Sequence, residues 1–239
     1  MGGDLAFVGD VHLDHGDPQL EPFLAWLDRL SASCADIVFI GDLFNLWLGD
    51  RRLEGAHQTA VVERLIALRR AGVAVRYIEG NRDYRIAAAY AGVAFDEVAS
   101  EGLVCERGGT RVWAAHGDLA NTTDRQYRLW RRVSRWGPAW RLFQLVPAGY
   151  RLWLAESIET RMRATNLEHK EHFPDAMVRR YAAPALASGH ALVALGHFHV
   201  ERDLDTGGGR IVVLPLWRDT HRFLRVRADG GAAIETAVV

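Results

Sequence analysis

The chain reads as a layered α/β domain with an inserted helical cap, and three observations lead there. Short apolar runs bounded by Gly or Asp recur at 5–8, 37–40, 73–78, 112–115, 192–195 and 211–214, the pattern of buried strands. Helical patterns lie between them at about 20–30, 56–71 and 175–187. Polar clusters follow five of the runs, which is where α/β sheets place ligand sites.

Taken in order, the first runs alternate strand and helix as a layered sheet requires, and Gly72 stands as a C-cap behind the second helix. Residues 121–173 break the rhythm, because they supply helical patterns and seven aromatics between 127 and 153 with no strand pattern before Leu192. Gly137-Pro138 and Pro147 punctuate them into helices expected at about 124–135, 139–146 and 150–164. One domain over 1–239, with the cap inserted between two strands, is the expected organisation. No internal repeat is visible.

Composition narrows the class. Hydrophobic residues make up 49% and charged residues 25% of the 239, which excludes a disordered or collagen-like chain. The formal charge of -1 hides a local excess, because residues 125–163 hold nine arginines against Glu156 and Glu159. With that near-neutral balance, and the arginines set among aromatics rather than along a basic face, nucleic acid is not an expected partner. Cys34 and Cys105 lie far apart in apolar runs, so a disulfide framework is not expected and a reducing compartment fits. No secretory signal is expected ahead of the run at 5–8. Ala6 stands where a myristoylation motif wants Ser or Thr, and no apolar run reaches the roughly 18 residues needed to span a bilayer.

The chemistry sits at the strand ends. Asp10 and His12, in Gly9-Asp10-Val11-His12, are two apart and project to one side of an extended chain. Asp42 follows the second run, Gly80-Asn81-Arg82-Asp83 the third, His116-Gly117-Asp118 the fourth and Gly196-His197-Phe198-His199 the fifth. An Asp after a strand is ordinarily a turn former. Together, however, the clusters offer oxygen and imidazole ligands and no thiolate, a set that suits Mn, Fe or Zn better than Ca. Asp14 and Asp17 read as turn formers, Asp50 as a residue that orients the loop after Asp42, and the histidines outside the clusters mostly as surface or locally hydrogen-bonded residues, with His15, close to Asp10 in sequence, a further candidate to line the site.

In order and wording, these motifs resemble the calcineurin-like metallophosphoesterase family over nearly the whole chain. The resemblance implies a layered sandwich and two divalent ions, Mn2+ in the leading reading. One ion would be held by Asp10, His12, Asp42 and His199, the other by Asp42, Asn81, His116 and His197, with Asp42 bridging. Such a pair lowers the pKa of a water and clamps the entering and leaving oxygens at phosphorus. Where many relatives have His after the Asn, this chain has Arg82. Guanidinium is a poor acid and a good bidentate clamp, which favours a phosphoanhydride substrate. A surface Arg answering Asp83 is the plainer alternative.

The stretches Gly41-Asp42-Leu43-Phe44-Asn45-Leu46-Trp47-Leu48-Gly49-Asp50, Gly80-Asn81-Arg82-Asp83-Tyr84, His116-Gly117-Asp118 with Asp124 and Tyr127, and Arg161-Met162-Arg163-Ala164 resemble one branch of that family. Its members are UDP-diacylglucosamine diphosphatases of the lipid A pathway. The resemblance implies catalytic roles for Asn81, Arg82 and His116, and substrate contacts by Asn81, Arg82, Asp124, Arg163, Asn166, Lys170 and His197. It further implies a nucleotide-sugar lipid substrate, with the protein cytoplasmic and peripheral on an anionic membrane at the inner face of the bacterial inner membrane. The chain departs from the branch at 165–172 and by carrying Phe198 where Thr is commoner. Trp130, Trp136, Trp140, Phe143 and Trp153 read either as core covering the sheet or as an interfacial, acyl-admitting cap. A phosphodiesterase or phosphatase of another small substrate, and a binding module with a relict cage, are the competing functions.

Overall fold

Side chains alternate along a strand, so Leu5 and Phe7 face one way while Ala6 and Val8 face the other. Both faces are apolar, and the strand must be covered on both sides. The computed structural model describes residues 3–165 and 173–239, with 159–165 described by backbone alone. Its first half runs β1 (Asp4–Val8), α1 (Leu20–Ser31), β2 (Cys34–Phe39), β3 (Trp47–Leu48), α2 (Ala56–Arg70), β4 (Ala74–Ile78), β5 (Asp83–Tyr84), α3 (Ile86–Tyr90), β6 (Glu97–Ala99), β7 (Leu103–Arg107) and β8 (Thr110–Ala115). Then come α4 (Arg125–Arg135), α5 (Gly137–Gln144), α6 (Ala148–Thr165), α7 (Asp175–Ala187), β9 (Leu192–Leu195), β10 (Arg202–Asp205), β11 (Arg210–Val213), α8 (Trp217–Thr220), β12 (Arg222–Val226) and β13 (Ala232–Thr236).

One sheet has the order β13-β12-β1-β2-β4-β6 and the other β10-β11-β9-β8-β7. Their facing sides share a buried layer in which Leu5, Phe7 and Val38 meet Val112, Ala194 and Val212. The outer face of the first sheet, with Ala6, Val8 and Phe39, packs on Phe23 and Leu27 of α1 and Val61 and Leu65 of α2. The outer face of the second, with Val193, Leu195, Ile211 and Val213, packs on Val178 and Ala182 of α7. The result is helix, sheet, sheet, helix. Burying each such Leu, Val or Phe is worth about 1.5–3 kcal/mol.

All six expected strands are present within a few residues of their expected bounds, as are the three sheet-covering helices. Gly72, at φ +92°, sits just past α2. Strands β3, β5, β6, β10, β12 and β13 went unanticipated. In β7, which holds the short apolar run around Cys105, buried and exposed residues alternate, with Leu103 and Cys105 buried and Val104 and Glu106 exposed.

Helices α4, α5 and α6 lie between β8 and β9 in the chain, as expected of the cap. Asp124 caps α4 by accepting from the Tyr127 amide at 2.8 Å, and Pro138 opens α5. The aromatics divide between the two readings. Trp140 is buried against Leu48 and Tyr84, with Trp130 and Phe143 packed beside it. Trp136 and Trp153 are exposed. Among the described residues no helix is long and apolar enough to cross a membrane.

Candidate metal centre

The loops leaving β1, β2, β4, β8 and β9 converge. Asp10, His12, Asp42 and His116 are all buried there. Five ligand candidates adopt left-handed backbone, Asp10 (φ 53°), His12 (54°), Asp42 (53°), His197 (71°) and His199 (56°). That conformation costs an L-residue about 1–2 kcal/mol, and its clustering marks a place where function overrides local preference.

The glycines ahead of the ligands are there for close approach. A Cβ on Gly41 would stand 2.6 Å from both His116 Nδ1 and the Gly80 Cα, and one on Gly80 would run into the Asp42 carboxylate. A Cβ on Gly196 would stand 2.6 Å from Asp10 Oδ2.

Two groups of ligand atoms result. In the first, His199 Nε2 lies 3.3 Å and His12 Nε2 3.7 Å from Asp10 Oδ1, and the two ring nitrogens are 3.1 Å apart. In the second, the Asn81 amide oxygen is 3.0 Å from His116 Nε2 and 2.9 Å from His197 Nδ1. Asp42 Oδ2 stands between them, 3.9 Å from His12 Nε2 and 3.8 Å from His116 Nε2. All seven expected ligands thus come together. Asp10 also groups with Asp42 and His116, so it faces both halves of the cage.

These residues fit divalent cations. Asp10 Oδ1 is buried and meets no hydrogen-bond donor among the described residues, while Oδ2 accepts from the His197 amide at 2.7 Å. An orphaned carboxylate oxygen facing two imidazole nitrogens is a cation's environment. His116 Nδ1 donates to the Ile40 carbonyl at 2.8 Å, which aims the Nε2 lone pair into the cage. Protonation follows suit. Burial, with the neighbouring His116, lowers His197 to about 4, and burial also lowers His12, leaving neutral imidazoles ready to ligate. Burial opposes the charge on Asp10, but His199 and His12 outweigh it and hold the carboxyl well below its usual range. Burial likewise opposes a charged His116, yet Asp42 and Asp10 lift its pKa, so a proton and a cation compete there.

The surroundings hold the ligands still. Asp83 Oδ2 accepts from the amides of Asp42 (3.0 Å) and Gly80 (2.7 Å) and from the Tyr77 hydroxyl (2.8 Å), stapling two ligand loops together. Its burial, and then the charge of Asp42, push it up to about 7. Arg82 leans on Asp42, with its amide 3.0 Å from Oδ1 and Nε 3.4 Å from Oδ2, and its Nη1 donates to Asn45 at 3.0 Å. The reading of Arg82 as a surface partner for Asp83 is therefore corrected, since the Asp83 carboxylate is turned inward to Tyr77. Asp118, two residues past His116, is held by Arg131 Nε at 2.6 Å and by the Tyr127 hydroxyl. The roles of Asp83 and Asp118 escaped the sequence because each depends on partners from other segments. The only signal was that both follow a ligand by two residues.

Of the other expected substrate contacts, Asp124 spends a carboxylate oxygen on capping α4. Arg163 belongs to the part of α6 described by backbone alone, and Asn166 and Lys170 lie outside the described residues. Asp50 ties the loop after Asp42 to Arg52 and to Arg151 of α6. His15 is exposed, edge-on to His57.

Paired sheets between helices, with carboxylate, amide and imidazole ligands at the strand ends, define a metallophosphoesterase binding divalent metals. The sequence matches the calcineurin-like phosphoesterase family over residues 4–201, and the chain belongs to that family. Its class is hydrolase. A UDP-2,3-diacylglucosamine hydrolase of Serratia proteamaculans is 30% identical over 237 residues, covering 96% of this chain and 97% of its own. One from Neisseria meningitidis serogroup B is 29% identical over 233 residues, covering 95% of each. A solved structure described as a novel archaeal phosphodiesterase superposes with a TM-score of 0.52 at 10% identity, over 97% of this chain and 98% of that one. That last likeness is one of fold alone.

Proposed function

We propose that the chain hydrolyses the pyrophosphate of UDP-2,3-diacylglucosamine to UMP and 2,3-diacylglucosamine 1-phosphate in lipid A synthesis. What carries the reading is the likeness, over nearly the whole of both chains, to hydrolases named for that substrate. In this reading the chain is one domain over 1–239 with its cap at about 121–173, and its cofactors are two Mn2+ ions. Asp10, His12, Asp42 and His199 hold one, and Asp42, Asn81, His116 and His197 the other. When bound, such a pair supplies positive charge to the phosphoryl oxygens and acidifies water. Arg82 adds a guanidinium beside Asp42, placed to steady phosphoryl charge as the phosphoanhydride opens. His116 Nε2 and the Asn81 amide oxygen, 3.0 Å apart and both acceptors, would converge on the second ion. Asp124, Arg163, Asn166 and Lys170 remain the substrate contacts implied by the resemblance.

The cap supports a lipid substrate and a peripheral place on the cytoplasmic face of the inner membrane. Leu129, Trp136, Leu142, Leu145, Tyr150 and Trp153 are exposed, beside the exposed Arg125, Arg132 and Arg141. A depression of about 550 Å³ is lined by Pro147, Gly149, Tyr150 and Trp153. Apolar side chains interleaved with cations suit an anionic lipid surface. The test is incubation with UDP-2,3-diacylglucosamine, detergent and Mn2+, followed by mass analysis. UMP and the acylated sugar phosphate are expected. Cleavage of soluble nucleotides alone, with the lipid untouched, would refute the assignment.

A further inference from the structure

Two arginines of the cap point away from solvent and into the cage's supporting loops. Arg131 and Arg135 stand four apart on α4 and therefore on one face of it. A buried guanidinium must find partners for its charge and its N–H groups, and where these two find them is the informative fact. Arg131 meets Asp118 at 2.6 Å, the Ser100 carbonyl at 2.6 Å and the Glu79 carbonyl at 3.4 Å. Arg135 Nη2 donates to the carbonyls of Gly80 (2.6 Å) and Asp83 (2.8 Å), and its Nε lies 3.5 Å from the Glu79 carboxylate. Glu79 is itself anchored, accepting from the Ile86 amide at 2.6 Å.

Gly80 and Asp83 are the two ends of the turn that carries Asn81, and one guanidinium nitrogen joins them. Asp118 is two residues beyond His116. Both arginines therefore act on the half of the cage made by Asn81 and His116, whereas Asp10, His12 and His199 receive no contact from either among the described residues. We infer that Arg131 and Arg135 are positioning residues that make occupancy of the Asn81–His116 metal position depend on the seating of the cap. The inference rests on the two-ion reading and is independent of the substrate. Because linkage is reciprocal, an ion at that position also favours the seated cap.

The test uses the full chain and Mn2+ alone. Titration followed by electron paramagnetic resonance counts the ions and separates an exchange-coupled pair from an isolated one. The unsubstituted protein is expected to take two ions as a coupled pair. Arg135→Lys and Arg131→Lys keep the charge but lose the planar fork. Each should keep one ion and bind the other about 10- to 100-fold more weakly, the usual loss when a residue supporting a ligand is removed. Arg132→Lys, at an exposed position on the same helix, should bind both ions as before. Two ions at unchanged affinity in both inward-facing variants would overturn the inference. Hydrogen exchange on the unsubstituted protein tests it without any substitution, since Mn2+ should slow exchange across α4, and unaltered exchange would overturn it as well. A single ion in the unsubstituted protein would instead remove the two-ion reading beneath it.

Discussion

Trp136 and Trp140 are one helical turn apart and should fail in opposite ways when cut to alanine. Trp140 is 7% exposed and packs on Phe143 with ring centroids 5.3 Å apart, above Leu48 and Tyr84. Its loss leaves a cavity and should cost about 3–5 kcal/mol of local stability. Trp136 is 60% exposed. Of a Trp's roughly 250 Å² it therefore leaves about 150 Å² in water, worth at most about 4 kcal/mol if wholly buried. A headgroup layer dehydrates that surface only in part, so about 1.5 kcal/mol is reasonable, or roughly tenfold in partitioning. The assay is sedimentation with vesicles rich in anionic lipid, alongside thermal melting and turnover of a long-chain and a short soluble substrate. Trp136→Ala should melt normally, bind vesicles about tenfold more weakly and lose turnover only on the long-chain substrate. Trp140→Ala should loosen the cap itself. If the unsubstituted protein ignores vesicles, or Trp136→Ala slows both substrates equally, the argument for a lipid-facing cap fails.

Asp42→Ala removes the carboxylate shared by both halves of the cage, so turnover should vanish and metal content fall, as elemental analysis would report. Near-normal activity would contradict the two-ion assignment. If the Arg82 guanidinium serves developing charge rather than capture, as proposed, Arg82→Lys should lower kcat by about 100- to 1000-fold with little change in KM, as steady-state kinetics would show. Arg52, burial notwithstanding, and then Arg151 hold Asp50 at about 2. Since a depressed carboxylate stabilises fully above its ordinary pKa and loses that contribution as pH falls through the folded value, cap docking should hold above about pH 4 and weaken progressively as pH falls toward about 2. Arg151→Met should shift the acid limb of the cap's melting curve to higher pH, and an unmoved limb would show that Arg52 alone suffices.

How much was legible in the sequence follows from the reach of each cause. Strand-end motifs such as Gly41-Asp42 and Gly80-Asn81 could be read because parallel strands are apolar runs and their carboxyl ends are where polar ligands gather. That was enough for the layered class and for the polar clusters that hold the seven candidate ligands, whose assignment to two ions came from the family resemblance. The antiparallel β7 showed only as the short apolar run around Cys105, and β10, with Leu204 as its single apolar residue, stayed hidden. The arginines of 125–163 read as a single positive patch, although Arg131, Arg135 and Arg151 turn inward to carbonyls and carboxylates. Those partners lie far away in the chain, and spacing along α4 says which residues share a face but not what the face will meet. Likewise, nothing local to Trp136 or Trp140 announces which is buried. The left-handed backbone at Asp10, His12 and Asp42 runs against local preference altogether. Local chemistry therefore determined which side chains are available for metal, while the convergence of distant loops alone decided the strain, the charge pairing and the burial that make them one site.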